Sequence, residues 1–249
     1  MHSPTDGALA GQVALVTGGA AGIGLAIATE LQRQGARCYL LDVSPESLDH
    51  AASVLVGAVP VQVDVSDVDA IGAAVDRIRT EAGRIDILVN SAGIGIIKPA
   101  LEITLADWQR TLDINLRGTF FMSQAVARHM IPAGRGRIVN IASKCGTIAI
   151  DDHAAYTASK AGVVGMTKVL AGEWAPHGIT VNCVSPTVVL TELAKNVWHG
   201  DIAEQMLAKI PVGRFATPED VAEAVAFLVT QSGMVTGHDL LLDGGYVAR

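Results

Sequence analysis

Short runs of Val, Ile and Leu alternate along the whole chain with longer segments that have a helical period. The runs predict seven strands, at 12–17, 37–42, 60–65, 86–90, 136–143, 179–185 and 239–243. Helices are predicted between them at 22–34, 45–55, 67–82, 104–131, 155–175, 190–209 and 218–230. Because a helix that follows a strand carries the chain back to the edge where that strand began, the strands run parallel. This pattern indicates an α/β class, with a doubly wound sheet of about seven parallel strands and helices on both faces.

The composition suits such a fold and excludes several classes of protein. Half of the 249 residues are hydrophobic but only 4% are aromatic, so small aliphatic side chains fill the interior. The net charge is −7 and there is no basic stripe, which argues against nucleic acid or an anionic membrane as a partner. The three cysteines are scattered and no basic region precedes an apolar one near the start, so we expect a cytoplasmic protein.

The stretch from Gly7 to Thr29 contains no charged residue, and Gly18 and Gly22 have the GxxxG spacing of paired membrane helices. The same stretch has six glycines, two of them adjacent near its centre, and these would break a spanning helix. A strand, a turn and a helix explain it better. Since no linker, charge block or repeat divides the chain, we expect a single domain over 1–249 with a short N-terminal tail at 1–10.

The first predicted strand leads directly into Thr-Gly-Gly-Ala-Ala-Gly-Ile-Gly at 17–24, and a helix follows. Gly18, Gly22 and Gly24 form a GxxxGxG pattern. A glycine-rich turn lets the backbone approach a pyrophosphate, and the helix N-terminus offers free N–H groups to that anion. Glycine-rich stretches alone are a weak signal, but the position of this one favours a Rossmann dinucleotide-binding fold.

Asp42 ends the second predicted strand, eighteen residues after Gly24. A carboxylate at this position accepts hydrogen bonds from the adenosine ribose hydroxyls and repels a 2′-phosphate. Neither Val43 nor the glycine-rich turn supplies a cation for such a phosphate, so the predicted cofactor is NAD rather than NADP. The alternative is that Asp42 only caps the turn before Pro45.

Two further strand ends have residues suited to a dinucleotide. Asp64 is placed at the end of the third strand, where its carboxylate could meet the adenine amino group. Asn-Ser-Ala-Gly at 90–93 ends the fourth, and its small residues let the chain run close to a ribose. Because ligands bind outside the carboxyl ends of parallel strands, four such ends in a row strengthen the prediction of a dinucleotide site.

In their order and spacing, these residues resemble the short-chain dehydrogenase/reductase family. The likeness covers nearly the whole chain and rests on the 17–24 turn, Asp64, the 90–93 segment, Asn115, Ser143, Tyr156-Thr-Ala-Ser-Lys160, VNCVSPTVVLTEL at 181–193 and Asp-Gly-Gly-Tyr at 243–246. Two residues depart from the usual family pattern. Ser91 stands where a second Asn is usual, and Thr187 stands where Gly usually follows Pro186. The second departure places a side chain beside the expected nicotinamide and substrate.

Tyr156 and Lys160 are four residues apart, so on a helix they share one face. An ammonium about 4 Å from the phenol favours the phenolate by roughly 4 kcal/mol at an effective dielectric near 20. This free energy corresponds to a fall of about three pKa units, from roughly 10 to roughly 7. The spacing therefore predicts a tyrosine that exchanges protons near neutral pH.

The resemblance implies an NAD-dependent oxidoreductase acting on CH–OH groups, and it assigns roles to four residues. Tyr156 is expected to exchange a proton with an alcohol or carbonyl while a hydride moves to or from the nicotinamide. Ser143 would hydrogen-bond the substrate oxygen, Lys160 would also bind the nicotinamide ribose, and Asn115 would hold a water that links Lys160 to solvent. The implied cofactor contacts are Gly18, Gly22, Ile23, Gly24, Asp42, Asp64, Val65, Asn90, Ala92, Gly93, Tyr156, Lys160, Pro186, Val189 and Thr191.

Each of these four residues also has an ordinary structural alternative. Ser143 could be a helix N-cap, Tyr156 a half-buried packing residue, Lys160 a side chain that reaches solvent, and Asn115 a side chain bonded back to its own helix. Taken together in this sequence context, the catalytic roles explain them better.

Two other catalytic chemistries are weaker. A thiol nucleophile at Cys145 with His153 as its base is conceivable, but only Lys144 would lower the pKa of the thiol. A small apolar wall residue suits Cys145 better. The seven histidines show no metal-ligand spacing, so no metal site is predicted.

The substrate pocket is expected from three segments, at 94–97, 145–153 and 187–199. The first is apolar, whereas the other two offer polar side chains and one aromatic ring, which suits a small polyhydroxylated molecule. The stretch SPTVVLTEL also resembles the polyol and xylulose-type reductases of the family. The predicted substrate is therefore a sugar alcohol of about four to six carbons or the corresponding ketose. Its predicted contacts are Ser143, Cys145, His153, Tyr156, Thr187 and Trp198.

Several alternatives stay open at this point. Residues 187–210 are expected to form a lid, although their polar side chains could simply face solvent. A 3-oxoacyl-thioester (acyl-carrier-protein) reductase is the alternative enzyme, although it would be expected to prefer NADP and to have a basic patch. A non-catalytic NAD-binding scaffold is the alternative outside enzymes. Apolar and small residues on several sides of the 104–131 and 155–175 helices, together with the family's habit, favour a homotetramer.

Overall fold

The computed structural model describes residues 7–191 and 199–248. Seven strands are β1 (Val13–Thr17), β2 (Arg37–Asp42), β3 (Val59–Gln62), β4 (Ile87–Asn90), β5 (Gly136–Ile141), β6 (Ile179–Pro186) and β7 (Asp239–Leu242). The α-helices of the described residues are α1 (Gly22–Arg33), α2 (Pro45–Val54), α3 (Val68–Ala82), α4 (Leu105–Leu112), α5 (Thr119–Ala133), α6 (Ala154–Trp174), α7 (Gly200–Leu207) and α8 (Pro218–Thr230). A π-helical turn (Asp113–Gly118) joins α4 to α5, and short 3-10 turns cover Ala100–Glu102, Lys144–Gly146 and Ala175–His177.

The strands form one sheet in the order β3-β2-β1-β4-β5-β6-β7, and every neighbouring pair is parallel. The chain starts at β1, adds β2 and β3 on one side, and then crosses over to add β4 to β7 on the other. Thr17 lies in register with Leu41 of β2 and with Asn90 of β4, so the winding direction changes beside the end of β1. The predicted doubly wound parallel sheet is confirmed, and such a switch point is where ligands bind in folds of this class.

Helices cover both faces of the sheet. Successive side chains of a strand point to opposite faces, so β1 contributes to two cores. Ala14 and Val16 pack with residues of α1, α2 and α8, whereas Val13 and Leu15 pack with residues of α3, α5 and α6. Burying each large aliphatic side chain contributes roughly 1.5–3 kcal/mol, and these two layers hold the strand ends at fixed positions.

The third strand ends earlier than predicted. β3 stops at Gln62, although Val63 still donates its amide to the Asp42 carbonyl at 2.8 Å. The Asp64 carboxylate accepts hydrogen bonds from the Ser66 amide at 2.8 Å and the Ser66 hydroxyl at 2.7 Å. Such local bonding competes with the strand ladder and turns the chain. The predicted strand end at residue 65 is therefore wrong, and Asp64 lies in the turn after β3.

The helix predicted over 104–131 is interrupted. α4 ends at Leu112 and the π-helical turn precedes α5. Gly118 closes this turn, where a Cβ would lie only 2.6 Å from the Val65 carbonyl oxygen. The turn places Asn115 in a buried position. π-helical turns of this kind frequently occur at functional sites.

Part of the helix predicted at 190–209 lies outside the described residues, which omit 192–198. Within the described part, α7 covers Gly200–Leu207. Of the helices that the structure describes, none is both long enough and apolar enough to span a membrane.

Candidate active site

The glycine-rich turn forms a cradle that side chains would fill. Gly18 and Gly22 have φ values of +62° and +52°, a region that favours glycine. A Cβ on Gly24 would lie 2.1 Å from the Gly18 carbonyl oxygen, and one on Gly18 would lie 3.0 Å from the backbone of Ala92. The N-cap of α1 is Ala21, whose side chain makes no cap hydrogen bond. The first amides of α1 are thus open to an anion, which fits the pyrophosphate of a dinucleotide.

Asp42 lies half-buried at the end of β2. Its carboxylate accepts hydrogen bonds from the Ser44 amide at 3.2 Å and the Ala20 amide at 3.4 Å. The first bond is the turn-capping alternative, and the second ties the carboxylate to the glycine-rich turn. Both interpretations therefore have a contact in the structure. Each carboxylate oxygen keeps acceptor capacity for a ribose hydroxyl.

The 90–93 segment is shaped by its neighbours rather than by its own side chains. Asn90 is buried, and its amide donates to Asn140 Oδ1 at 2.8 Å, so the side chain points into the sheet interior instead of the cofactor crevice. The amides of Ser91 and Ala92 both donate to Thr17 Oγ1 at 3.1 Å. The predicted cofactor contact of Asn90 stays a prediction.

A cavity of about 460 Å³ opens at the carboxyl ends of the central strands. It brings together most of the residues that were predicted for catalysis and substrate binding. Those on its wall are Ile23, Gly93, Ser143, Cys145, His153, Tyr156, Lys160, Pro186, Thr187, Val189 and Thr191. The other predicted cofactor residues, Gly18, Gly22, Gly24, Asp42, Asp64, Val65, Asn90 and Ala92, lie off this wall. Trp198 lies outside the described residues.

Lys160 is buried in α6 with 5% of its surface exposed. Its Nζ donates to the Ile141 carbonyl at 2.8 Å and lies 5.7 Å from the centroid of the Tyr156 ring. Burial lowers the pKa of Lys160 to about 8. The solvent-reaching alternative for this side chain is thus wrong.

Tyr156 faces Ser143 across the cavity. The Ser143 hydroxyl accepts a hydrogen bond from the Cys145 amide at 3.2 Å and also bonds to the phenol. Burial raises the pKa of Tyr156 to about 12, although the bond with Ser143 acts in the opposite direction. This direction is opposite to the predicted fall toward 7, which assumed an ammonium about 4 Å from the phenol. Lys160 Nζ instead lies 5.7 Å from the ring centroid and donates to the Ile141 carbonyl.

The Asn115 side chain braces the start of the 94–97 segment. Its Oδ1 accepts from the Ile94 amide at 2.8 Å, and its Nδ2 donates to the Ile94 carbonyl at 2.9 Å and to Ser159 Oγ at 3.0 Å. A Cβ on Gly93 would lie 3.3 Å from Asn115 Oδ1 and 3.5 Å from Lys160 Nζ, so only glycine leaves this junction free. The back-bonding alternative for the Asn115 side chain is wrong.

The expected substrate wall is mixed in character. Cys145 is buried, and the ring of His153 lies 6.1 Å from that of Tyr156, with Nδ1 placed 2.6 Å from the Asp151 carbonyl. The Thr187 hydroxyl is buried without a hydrogen-bond partner, although its residue lines the cavity. Buried polar atoms without partners are rare in native proteins, so this hydroxyl is a candidate for a ligand contact.

Sequence reasoning missed three residues of this region. Thr17 holds the 90–93 segment, and its position as the last residue of a strand was the available signal. Lys144 and Met206 lie on the cavity wall. Lys144 could have been suspected from its place beside Ser143, whereas nothing in the sequence points to Met206. Across residues 7–191 and 199–248, no group of three His, Cys, Asp or Glu side chains is placed to hold a metal ion.

The doubly wound sheet, its anion cradle and a Tyr-Lys pair on one cavity define a dinucleotide-dependent oxidoreductase. A family model described as enoyl-(acyl carrier protein) reductase matches residues 18–247. The chain belongs to the short-chain dehydrogenase/reductase family, as the sequence resemblance implied. It is an NAD-dependent enzyme that acts on CH–OH groups.

Named relatives cover nearly all of the chain. D-threitol dehydrogenase of Mycolicibacterium smegmatis is 49% identical over 98% of this chain and 96% of that protein. NAD-dependent glycerol dehydrogenase of Listeria innocua is 45% identical over 96% of this chain and 94% of that protein. The solved structure of NAD⁺-bound xylitol dehydrogenase superposes with a TM-score of 0.89 at 32% identity, covering 94% of this chain and 98% of that one.

Proposed function

We propose that this enzyme transfers a hydride between NAD and a secondary alcohol of a small sugar alcohol, as a polyol dehydrogenase. The observation that carries the proposal is the cavity in which Ser143, Tyr156 and Lys160 meet His153 and Thr187 on a wall that is otherwise largely apolar. The similarity to D-threitol dehydrogenase and to NAD-dependent glycerol dehydrogenase supports the substrate class.

Three side chains do the proton chemistry in this proposal. Ser143 holds the substrate oxygen, and the Cys145 amide fixes the position of its Oγ. Tyr156 takes the alcohol proton during oxidation and returns it during reduction. Lys160 supplies positive charge beside the phenol, and Asn115 keeps this region in place through Ile94 and Ser159. NAD, when bound, accepts the hydride, and its positively charged ring favours the phenolate.

The residues that would hold NAD follow the carboxyl edge of the sheet. The amides of the 17–24 turn would bind the pyrophosphate, and Asp42 would bind the adenosine ribose. Asp64 and Val65 would contact the adenine, and Ala92 and Gly93 would lie close to a ribose. Lys160 would bind the nicotinamide ribose, with Ile23, Pro186, Val189 and Thr191 around the nicotinamide. Thr191 also lies against the glycine-rich turn, since a Cβ on Gly22 would lie 3.3 Å from its Cγ2.

A 3-oxoacyl-thioester reductase is the less favoured enzyme, even though the matching family model is described as an acyl-carrier-protein reductase. Asp42 opposes the phosphate of NADP, and the net charge of −7 opposes an acidic carrier. A non-catalytic scaffold would have no need for the Ser143, Tyr156 and Lys160 arrangement.

We further propose a cytoplasmic homotetramer. The cysteines Cys38, Cys145 and Cys183 are free and buried, which suits a reducing compartment. Exposed apolar side chains on α6, α8 and the edge strand β7 (Val169, Phe227 and Leu241) offer surfaces for partner subunits. Residues 187–210 would form the substrate lid on a single domain. The N-terminal tail predicted at 1–10 would end before Leu9, because Leu9 is buried in the core and its amide donates to the Gln34 carbonyl at 2.9 Å. Light scattering at micromolar concentration should give four times the chain mass, and a monomer would contradict the assembly.

The proposed activity is tested by measuring NADH formation with polyols, simple secondary alcohols and hydroxyacyl thioesters. We expect the highest kcat/KM with a polyol of about four to six carbons. A hydroxyacyl thioester as the best substrate, with NADP as the better cofactor, would establish the alternative enzyme. Turnover of none of them, with NAD binding intact, would favour the scaffold.

A further inference from the structure

Lys144 is a buried ammonium for which the catalytic steps proposed above have no use. It lies in the 3-10 turn directly after Ser143, is 3% exposed and lines the same cavity as Tyr156. Its Nζ lies 3.8 Å from Met206 Sδ and 3.5 Å from the centroid of the Tyr246 ring. An ammonium has three N–H donors. The thioether of Met206 is only a weak hydrogen-bond acceptor, and the Tyr246 ring offers a cation–π contact rather than an oxygen acceptor. Its hydrogen-bonding capacity is therefore largely unused.

The acid near Lys144 is already occupied. Asp243 is buried, and its carboxylate accepts hydrogen bonds from the Gly245 amide at 2.9 Å and the Val247 amide at 2.8 Å. It adds favourable charge at a distance but makes no ion pair with Lys144 among the described residues. A buried charge without an ionic partner is costly. Lys160 differs, because its Nζ donates to a backbone carbonyl.

The cavity wall has a one-sided charge. In the part of the chain that the structure describes, its ionisable residues besides Cys145 and Tyr156 are Lys144, His153 and Lys160, and the wall contains no Asp or Glu. An enclosed surface with one sign of charge attracts a ligand of the opposite sign. The whole protein is acidic, at −7, so the described part of this wall, with Lys144 and Lys160, runs against the average.

We propose that the cavity also accepts small polyhydroxy carboxylates, and that Lys144 binds the carboxylate while a secondary hydroxyl of the same molecule meets Ser143 and Tyr156. This inference rests on the proposed polyol dehydrogenase function and extends its substrate class to sugar acids. The reaction is unchanged: the carbinol C–H hydrogen leaves as hydride to NAD, and the hydroxyl proton goes to Tyr156. The products are an oxo acid and NADH, and the carboxylate keeps its charge throughout.

The test compares two molecules of equal length, the polyol threitol and the sugar acid threonate, with NAD as oxidant. Wild-type enzyme should oxidise both. In Lys144→Met, which keeps length and removes charge, the ratio of kcat/KM for threonate to that for threitol should fall ~10–100-fold, chiefly through KM for threonate. Lys144→Arg should restore part of the ratio. Lys209→Met is the control. The Lys209 side chain is exposed and its charge acts on Lys144, but it lies off the cavity wall, so this variant should leave the ratio unchanged.

The outcomes separate this inference from the function on which it rests. Oxidation of threitol but not threonate by wild-type enzyme would overturn the inference and leave the polyol dehydrogenase standing. Turnover of neither molecule, nor of any other polyol of four to six carbons, would overturn the proposed function and the inference with it. An equal loss for both substrates in Lys144→Met would show that Lys144 only supports the fold or the polyol, and it would also overturn the inference. Binding of threonate to the wild-type enzyme–NADH complex can also be followed by NADH fluorescence. Absence of binding would overturn the inference without the need for a variant.

Discussion

The two halves of the active-site region are built by different means. The cofactor half consists of residues 17–24, Asp42 and residues 90–93, and its surface is made mainly by backbone: glycines at positive φ and amides without side-chain acceptors. The substrate half consists of residues 143–153, Thr187 and Met206, and its surface is made mainly by side chains. There, among the described residues, the Thr187 hydroxyl has no hydrogen-bond partner and the Lys144 ammonium has no oxygen acceptor. In the first half a ligand would meet backbone amides, whereas in the second it would meet polar side chains.

The largest effect is expected in the substrate half. Tyr156→Phe removes the proposed proton acceptor and should lower kcat by ~10²–10⁴-fold, with little change in the Kd of NAD. Steady-state rates and NADH fluorescence titration measure the two quantities. Tyr39→Phe is the matched control, since it removes a phenol hydroxyl that bonds to Glu81 at 2.9 Å, remote from the cavity. Near-normal turnover by Tyr156→Phe would show that another group moves the proton.

The next largest effect is expected from a substitution in the cofactor half. Gly24→Ala would place a Cβ 2.1 Å from the Gly18 carbonyl oxygen, and neither backbone segment can yield without moving the turn. The free energy of unfolding should fall by ~1–3 kcal/mol, and the Kd of NAD should rise about tenfold or more. Urea denaturation and a fluorescence titration would measure both.

Gly72→Ala is the control for this change. Gly72 lies in α3 with no atom within 4 Å of the added Cβ, so alanine there should raise stability by up to ~1 kcal/mol. If Gly24→Ala behaved in the same way, the glycine-rich turn would not be a rigid cradle.

The contrast between the halves also explains what could be predicted from the sequence. The seven strands and the 17–24 turn follow from hydrophobic period and glycine positions, which are local properties of the chain. Tyr156 and Lys160 could be paired because a helix fixes the spacing of residues four apart. The interior orientation of Asn90 could not be predicted, because it depends on Asn140, fifty residues away in sequence.

The pKa of Tyr156 was the property that the spacing of residues predicted worst. The expected fall in the pKa of Tyr156 assumed a nearby free ammonium, whereas Lys160 donates to the Ile141 carbonyl and burial dominates. The role of Lys144 could likewise not be assigned, since its burial depends on Met206 and Tyr246 from distant elements. Desolvation is a property of the assembled cavity, and a single sequence does not report it.

A smaller effect is expected in the cofactor half, on the preference for NAD over NADP. Asp42→Ala removes the carboxylate that opposes a 2′-phosphate, so the ratio of NAD to NADP in kcat/KM should fall by ~10–100-fold. Asp49→Ala removes one exposed negative charge from the neighbouring α2 and should leave the ratio unchanged. An unchanged ratio in Asp42→Ala would mean that this carboxylate only caps the turn through Ser44.

The smallest effect is expected at Thr187, and it separates a ligand-binding hydroxyl from a structural one. Thr187 and Thr180 lie at opposite ends of the β6 region, and each has a buried hydroxyl without a hydrogen-bond partner. Replacing either by Val removes no hydrogen bond, so the free energy of unfolding should stay constant or rise by up to ~1 kcal/mol. Only Thr187 lines the cavity, so only Thr187→Val should raise KM for a polyol, by about threefold, as measured by initial rates. A loss of stability in Thr187→Val without a change in KM would assign its hydroxyl to the fold, and the substrate half would then lose one of its open polar groups.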